Sequence, residues 1–398
     1  MTQLASRQAL LGTETAFETL AKAKELERQG KSITHLEIGE PDFDTPEHIR
    51  DAAKQALDDG FTHYGASAGQ MELREAIAKH QTERQGYEVS ASSVIVTPGG
   101  KPVMFFTIMA LVEQGVEVIY PNPGFPIYES MINYMGGTAV PMQLNEETGY
   151  NADIDNLRSL ITPRTKLLIV NSPNNPCGSV IPESDLEKIA EMAVENDLVV
   201  LADEIYKDMY YNGLEHVSIT KFPGMRERTI ILDGFSKSYA MTGWRLGYAA
   251  NRLLAPYFTT WVANTDSCAN HITQWAGVEA ITGDQSEHRA MMDSFTRRRN
   301  LIVEGLNTLP GIHCLRPGGA FYVWPNVSEL CQRTGCADAE ALRKRWLYEA
   351  NVAVLADSHF GPPVPGEGQH VRFSYAASED NINQGLEKLR QWIGENGG

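Results

Sequence analysis

Gly234-Phe235-Ser236-Lys237-Ser238-Tyr239-Ala240-Met241-Thr242-Gly243-Trp244-Arg245-Leu246-Gly247 is the stretch that decides the fold. It follows the apolar, β-branched run Thr229-Ile230-Ile231-Leu232, which predicts a buried strand. Lys237 would then stand at the carboxyl edge of a sheet, where open α/β sheets bind their ligands. Its neighbours are small and aromatic, and an amine in such an apolar pocket is suited to act as a nucleophile. Arg245 could return a guanidinium to the same pocket and hold a phosphate there; a strand-capping lysine and a salt-bridged arginine are the alternative.

The length and charge of the chain limit the classes of protein to which it can belong. Its 398 residues exceed what one hydrophobic core normally supports, so we expect two domains. The formal net charge of −17 disfavours nucleic acid and anionic membranes as partners, and the triplet Arg297-Arg298-Arg299 predicts a solvated helix face with interface pairs. The five cysteines are odd in number and show no CxxC spacing, which favours a reduced, cytoplasmic protein without a metal site. We see no signal peptide, and the apolar run 102–112 is too short to span a bilayer.

A glycine-rich junction predicts an anion site near residue 100. The short β-branched strand Val94–Thr97 runs into Pro98-Gly99-Gly100-Lys101 and then into an apolar helix. Glycines let backbone N–H groups approach a phosphate, and the dipole at a helix N-terminus favours its negative charge. The sequence is neither a P-loop nor a dinucleotide-binding GxGxxG motif.

Further candidate side chains follow predicted strands at the same edge. Phe125 and Asn175 each come after a β-branched strand and a turn that contains proline. The strand at 198–202 runs into Asp203, a carboxylate that is costly to bury without a cationic or hydrogen-bonded partner. Tyr206 follows three residues later. Simple packing of Phe125 and helix capping by Asp203 are the alternative interpretations.

Two loops and a late strand complete the candidate set. Gly39 lies in the proline-rich loop Leu36–Pro46, and Tyr64 lies in a second glycine-containing loop. The segment His370–Tyr375 alternates polar and apolar residues, which predicts a half-buried strand that carries Arg372. An arginine inside such a strand is normally paired, either with an acid of the chain or with the carboxylate of a substrate.

Taken together, these motifs resemble those of the class I/II pyridoxal-phosphate-dependent aminotransferases of fold type I. The resemblance covers nearly the whole chain and is closest to the bacterial aspartate-aminotransferase-like branch. Its matching segments are GEPDFDTP (39–46), NSPNNP (171–176), DEIY (203–206), AMTGWR (240–245) and VRFSYA (371–376). Ser172, Cys177 and Gly234 depart from the family pattern, and Gly234 lacks a hydroxyl that some relatives carry at this place.

The resemblance implies a role for each candidate residue. Lys237 would hold pyridoxal 5'-phosphate as a Schiff base and act as the catalytic base, with Asp203 at the pyridine nitrogen and Tyr206 at the phenolate oxygen. The other implied cofactor contacts are Gly99, Gly100, Lys101, Phe125, Asn175, Ser236 and Arg245, together with Tyr64 from the other subunit of a homodimer. The implied substrate contacts are Gly39, Asn175 and Arg372.

The resemblance also implies a fold and a reaction. We expect a large cofactor-binding domain, 46–283, with a mostly parallel seven-stranded sheet between helices, and a smaller α+β domain formed by 1–45 and 284–398. The implied activity is transfer of the amino group of an L-amino acid to a 2-oxo acid by a ping-pong aldimine/ketimine cycle, with aspartate as the default donor. A pyridoxal-phosphate-dependent β-lyase, another fold-type-I enzyme and a non-catalytic cofactor-binding module are the alternatives.

Overall fold

The computed structural model of the protein describes residues 4–12 and 15–397. Its helices bury residues three and four apart, as Leu186, Ile189 and Ala193 show. The helices of this part of the chain are α1 Ala16–Arg28, α2 Glu47–Asp58, α3 Met71–Gln85, α4 Lys101–Leu111, α5 Ile127–Tyr134, α6 Ile154–Leu160, α7 Glu183–Glu195, α8 Ala255–Thr265, α9 His271–Thr282, α10 Ser286–Asn307, α11 Ser328–Thr334, α12 Ala339–Arg345 and α13 Glu379–Asn396. Short 3₁₀ segments cover Ser6–Leu10, Ala91–Ser93, Ile219–Lys221 and Asp357–His359, and a π-helical turn covers Trp346–Ala350. None of the helices described here is both long and apolar enough to cross a membrane.

The strands form one large sheet and two small ones. They are β1 Thr34–His35, β2 Val94–Thr97, β3 Glu117–Asn122, β4 Thr138–Gln143, β5 Thr165–Asn171, β6 Val199–Asp203, β7 Thr229–Gly234, β8 Gly247–Ala250, β9 Tyr322–Val323, β10 Val352–Ala353, β11 Leu355–Ala356 and β12 Val371–Ser374. The large sheet has seven strands in the order β2-β8-β7-β6-β5-β3-β4. Only β8 runs antiparallel to its neighbours in this sheet.

The large sheet is buried on both faces, as mostly parallel sheets are. Successive residues of β5 point to opposite faces. Leu167 and Ile169 lie in an apolar cluster with residues of α4, whereas Leu168 and Val170 lie in a cluster with residues of α7. The sheet therefore lies between helical layers, which confirms the predicted α/β fold with a mostly parallel seven-stranded sheet.

The C-terminal part of the chain has its own core around α10, α13 and a three-stranded antiparallel sheet in the order β11-β12-β9. All four residues of β12 are buried. The prediction of a half-buried strand at His370–Tyr375 is therefore wrong, because Arg372 points into an internal cavity and not into bulk solvent. β1 pairs with β10 and so attaches the N-terminal segment to this part. The division into 46–283 and the two flanking segments stays a prediction.

The register of the parallel strands brings three loops together. Asn171 pairs with Asp203, and Asp203 pairs with Leu232, so β5, β6 and β7 end side by side. The segments that follow these strands carry most of the candidate residues. The fold therefore concentrates the predicted chemistry at one edge of the sheet.

Candidate active site

A cavity of about 450 Å³ opens at the ends of β5, β6 and β7. Its volume lies within the usual range of small-molecule sites. Most of the predicted residues line it: Gly39, Gly100, Lys101, Phe125, Asn175, Asp203, Tyr206, Ser236, Lys237, Arg245 and Arg372. Gly99 lies directly against Arg245, and Tyr64 lies outside the lining.

Lys237 extends into the cavity from the turn after β7. Its Nζ donates a hydrogen bond to the Gly39 carbonyl and lies 5.7 Å from the centroid of the Phe321 ring. Gly234 ends β7, and a Cβ at this position would lie 3.0 Å from the Leu246 carbonyl oxygen. A side chain at position 234 would therefore require a small shift of one of the two chain segments.

Asp203 is buried at the end of β6. One carboxylate oxygen accepts a 2.5 Å hydrogen bond from the Tyr128 hydroxyl, and the other accepts from the Ile205 amide at 3.2 Å. Burial raises the pKa of Asp203 to about 6, although both hydrogen bonds oppose this shift. Because both partners are neutral, a cationic group in the cavity would stabilise the ionised carboxylate.

The aromatic lining places hydroxyl groups and a ring edge around the same space. The Tyr206 hydroxyl lies 2.8 Å from that of Tyr322, and burial raises the pKa of Tyr206 well above its ordinary value. Tyr206 therefore stays protonated at neutral pH and can donate a hydrogen bond. Phe125 packs edge-on against Tyr128 at 5.7 Å between centroids, and Lys101 Nζ lies 5.5 Å from the Phe125 ring centroid.

Glycine residues and Arg245 form a concave anion site at the start of α4. Gly99 has a φ of +88°, which favours glycine, and a Cβ there would overlap the Arg245 guanidinium. Arg245 Nη1 donates to the Thr242 carbonyl at 2.8 Å, which fixes the position of the guanidinium. The N-terminus of α4, at Lys101, contributes backbone donors and a favourable dipole. Ser236 is buried and lines the same cavity.

Arg372 reaches the cavity from β12. Its Nη1 donates to Asn175 Oδ1 at 2.9 Å, and its Nη2 donates to the Glu37 backbone carbonyl. Its guanidinium carbon lies 4.4 Å from the Tyr322 ring centroid, which orients the planar group. Neither acceptor is a carboxylate, so this arrangement leaves the positive charge of Arg372 available to an anionic ligand.

Comparison with known proteins decides the family of the chain. The sequence profile described as "Aminotransferase class I and II" matches residues 31–389. The chain belongs to this family. The aminotransferase is 40% identical to an aspartate/prephenate aminotransferase of Thermus thermophilus over 94% of each chain, and 37% identical to aromatic-amino-acid aminotransferase 2 of Thermococcus litoralis over 92% of each. A solved structure of aspartate aminotransferase from Thermus thermophilus with maleate matches it with a TM-score of 0.91 and 39% identity, covering 98% of this chain and 100% of that chain.

The aminotransferase is thus an enzyme of a family that uses pyridoxal 5'-phosphate, which confirms the predicted family, reaction class and cofactor. Three features of its cavity fit this group. The glycine cradle against Arg245 suits the phosphate, and the buried carboxylate of Asp203, with its neutral partners, suits a protonated pyridine nitrogen. The Lys237 amine in the same cavity suits the aldehyde. The roles predicted for individual residues stay predictions.

Sequence analysis missed two tyrosines that line the aminotransferase cavity. Tyr128 donates to Asp203, and Tyr322 lies beneath the Arg372 guanidinium. A buried tyrosine needs a hydrogen-bond partner for its hydroxyl. The position of Tyr128, three residues after Phe125 at the start of a helix, could therefore have indicated a contact in the site. Tyr322 follows the glycine pair Gly318-Gly319, which is typical of a turn but does not indicate the contacts of the side chain after it.

Tyr64 is placed differently from the other predicted residues of the aminotransferase. Its side chain is 87% exposed. The same loop is anchored by Phe61, which packs against His271 and Trp275 at 5.1 and 5.0 Å between centroids. The loop therefore has a fixed base and presents Tyr64 to the outside of the subunit.

Proposed function

We propose that the enzyme transfers the amino group of an L-amino acid with an acidic side chain, aspartate first, to a 2-oxo acid. The convergence of Lys237, Asp203 and Arg372 on one cavity, next to a glycine–arginine anion site, carries this proposal. An amine, a buried acid and an unneutralised guanidinium are the groups that amino-group transfer requires.

In this proposal Lys237 performs the covalent and proton-transfer steps. The cofactor, when bound, supplies an electron-accepting ring that stabilises negative charge at the substrate Cα. Lys237 Nζ would bond the aldehyde carbon with loss of water and, once the substrate amine had displaced it, would accept the proton from the substrate Cα. The Gly39 carbonyl, which accepts a hydrogen bond from Nζ, orients this amine.

The other residues hold the ring. Asp203, fixed by Tyr128, would keep a proton on the pyridine nitrogen, an electrostatic effect that exists before the reaction begins. Asn175 and Tyr206 would donate hydrogen bonds to the phenolate oxygen, and Phe125 would pack against the ring. The glycine–arginine site would hold the phosphate through Gly99, Gly100, Lys101, Ser236 and Arg245.

Arg372 binds the substrate α-carboxylate, and the Gly39 amide supports it. A guanidinium holds a carboxylate bidentately, so it fixes the direction of the Cα–H bond relative to Lys237. Asn175 accepts from Arg372 and therefore keeps the guanidinium in place for both substrates of the cycle. Orientation of this kind removes part of the entropic barrier to proton transfer.

The relatives favour an acidic amino donor. Two acidic residues, Glu40 and Asp203, line the cavity together with four basic ones, Lys101, Lys237, Arg245 and Arg372. In this proposal the phosphate, the aldehyde and the substrate α-carboxylate already engage these four basic residues, so the preference for aspartate rests on the relatives. The Thermus thermophilus relatives carry aspartate in their names, and one was solved with maleate, a dicarboxylate. The name of the Thermococcus litoralis relative makes aromatic amino acids the second candidate.

A panel of amino acids tests the donor. The cofactor-loaded enzyme is mixed with L-aspartate, L-glutamate, L-alanine or L-phenylalanine, and the change in cofactor absorbance is followed without an acceptor. We expect aspartate to react about 10 to 100 times faster than alanine, as one additional charged contact predicts. Addition of a 2-oxo acid should restore the original spectrum. Faster reaction with phenylalanine would contradict the acidic donor. Release of pyruvate and ammonia from L-cysteine, which carries a leaving group on Cβ, in the absence of an acceptor would indicate a β-lyase.

We further propose that the active unit is a homodimer in which Tyr64 completes the phosphate site of the other subunit. The exposed position of Tyr64, on a loop with a fixed base, supports this proposal. In a two-fold symmetric dimer each subunit would receive one such tyrosine. A hydrogen bond to a phosphate contributes roughly 1.5–3 kcal/mol, so Tyr64→Ala should weaken cofactor binding by about 10 to 100 times.

Mixed dimers test the exchange of Tyr64 directly. Tyr64→Ala and Lys237→Ala subunits, each nearly inactive at limiting cofactor, are unfolded together and refolded. If Tyr64 serves the other subunit, each mixed dimer has one intact site, and about a quarter of all sites should be active. If Tyr64 serves its own subunit, no intact site forms and no activity returns. A monomeric active enzyme in sedimentation would also contradict the proposal.

The predicted compartment and domain division belong to this proposal as well. All five cysteines are free thiols, which supports a location in the reducing cytoplasm. The pairing of β1 with β10 supports a small domain that combines 1–45 with 284–398, beside a large domain of 46–283.

A further inference from the structure

A buried ionic cluster joins the two strand-end segments that carry Tyr206 and Lys237. Lys207 and Asp208 directly follow Tyr206 in the chain. Asp233 lies in β7, shortly before Lys237. Lys207 Nζ lies 2.7 Å from Asp233 Oδ1, and these side chains are only 4% and 0% exposed. Lys207, Asp208 and Asp233 lie outside the cavity lining, so the proposed chemistry does not use them.

Asp208 is the member of this cluster that reaches the lysine turn. Its Oδ2 accepts a 2.6 Å hydrogen bond from Ser238 Oγ, and its Oδ1 accepts one of 2.7 Å from Arg84. Lys207 Nζ at 3.7 Å and His288 Nε2 at 3.9 Å face the same carboxylate. Burial alone would raise the pKa of Asp208, but Lys207 and Arg84 outweigh burial and hold it below its ordinary value. Asp208 is therefore an ionised hydrogen-bond acceptor.

Asp233 holds the other side of the same turn. Its Oδ1 accepts from the Gly234 amide at 2.6 Å as well as from Lys207, and its Oδ2 accepts from the Tyr248 hydroxyl. The two carboxylates thus hold the turn at two points. Asp233 holds the Gly234 amide, and Asp208 holds the Ser238 side chain. A turn held on both sides has little freedom, so the side chain between them starts from a defined position.

We propose that Asp208 is a positioning residue for Lys237: through the Ser238 hydroxyl it fixes the turn that places the lysine amine in the cavity. This inference rests on the proposed role of Lys237 as the amine that bonds the cofactor. Asp208 touches neither cofactor nor substrate and acts only through Ser238.

The test uses cofactor-loaded enzyme carrying Ser238→Ala, Asp208→Asn or both changes. The pH midpoint of the visible band of the bound cofactor should move by about 0.5–1 unit in each single variant, which corresponds to the free energy of one ordinary hydrogen bond. We expect kcat to fall about three- to tenfold with little change in KM, because the substrate contacts are intact. The double variant should show the same shift as Ser238→Ala alone, because Asp208 acts through that hydroxyl.

Glu340→Gln is the matched control. The Glu340 carboxylate is partly buried and paired with Arg343 at 2.6 Å, outside the cavity, so its loss should lower Tm without moving the midpoint. A wild-type midpoint in Ser238→Ala and Asp208→Asn would overturn the proposal, and so would additive shifts in the double variant. Borohydride labelling of the wild-type enzyme is mapped in the same preparation. Absence of label on Lys237 would overturn the proposed function, and the positioning role with it.

Discussion

Replacing Lys237 with alanine is expected to lower kcat/KM for amino-group transfer by about 10⁴-fold or more, because it removes both nucleophile and base. The variant should also lack the covalent link to the cofactor that borohydride reduction makes permanent in the wild-type enzyme. An assay of the 2-oxo acid product measures the first effect. Peptide mapping after reduction measures the second on the same protein.

Lys237→Arg is the control for charge. It keeps a cation in the cavity but cannot bond the aldehyde, so we expect it to be as inactive as Lys237→Ala. An unchanged Tm in both variants would exclude unfolding as the cause. Label on Lys101, which lines the same cavity, or a variant rate near that of the wild type would show that another amine performs the chemistry.

The location of the site could be predicted because its parts are local in sequence. Apolar runs that end in a glycine or a polar residue mark strand ends, and the ends of parallel strands meet at one edge. This reasoning brought Asn175, Asp203 and Lys237 to one cavity. The glycine pair at 99–100 likewise predicted a close backbone approach at the anion site, and in the structure Gly99 has a positive φ and lies against Arg245.

Contacts between distant segments could not be predicted in the same way. Tyr128 and Asp203 are 75 positions apart, and Arg372 and Asn175 are 197 positions apart. Periodicity indicates which face of a helix or strand is buried. It does not indicate which side chains of another element that face contacts. The hydrogen bond that fixes the buried acid and the amide that fixes the guanidinium therefore emerge only from the packed structure.

The arginine triplet in α10 shows the same limit. The prediction of a solvated face is wrong for Arg298 and Arg299, which are buried. The Arg298 guanidinium lies 4.5 Å from the Phe43 ring centroid, and that of Arg299 lies 4.6 Å from the Tyr211 ring centroid. Both aromatic partners come from other parts of the chain, so a local reading of charge could not find them.

Replacing Asp203 with asparagine is expected to lower kcat by about 10²–10³-fold while Lys237 still bonds the cofactor. The amide keeps the shape of the side chain and can still accept from Tyr128, but it removes the negative charge that is proposed to face the pyridine nitrogen. Steady-state kcat at saturating cofactor measures the loss. Borohydride labelling of the variant at residue 237 checks that the cofactor is still bound.

Asp203→Asn should also change how the free energy of unfolding of the cofactor-free protein depends on pH. Burial raises the pKa of Asp203 to about 6, whereas an aspartate in an unfolded chain has a pKa of about 4. Between these values the folded protein holds a proton that the unfolded chain has released, so Asp203 makes the fold less stable as pH rises. Above pH 6 this effect amounts to about 3 kcal/mol. Asp203→Asn has no such proton to lose, and its free energy of unfolding at pH 7 should exceed that of the wild type.

Tyr128→Phe separates the charge of Asp203 from its hydrogen bond. It removes a donor that favours the ionised carboxylate, so the pKa of Asp203 should rise further and the loss of stability should move to higher pH. Because the charge opposite the ring remains, kcat should fall less than in Asp203→Asn. Urea unfolding of the cofactor-free proteins between about pH 4 and 8 measures the stability profiles. A wild-type kcat in Asp203→Asn would remove the carboxylate from the mechanism, and identical profiles for all three proteins would mean that burial does not hold its proton.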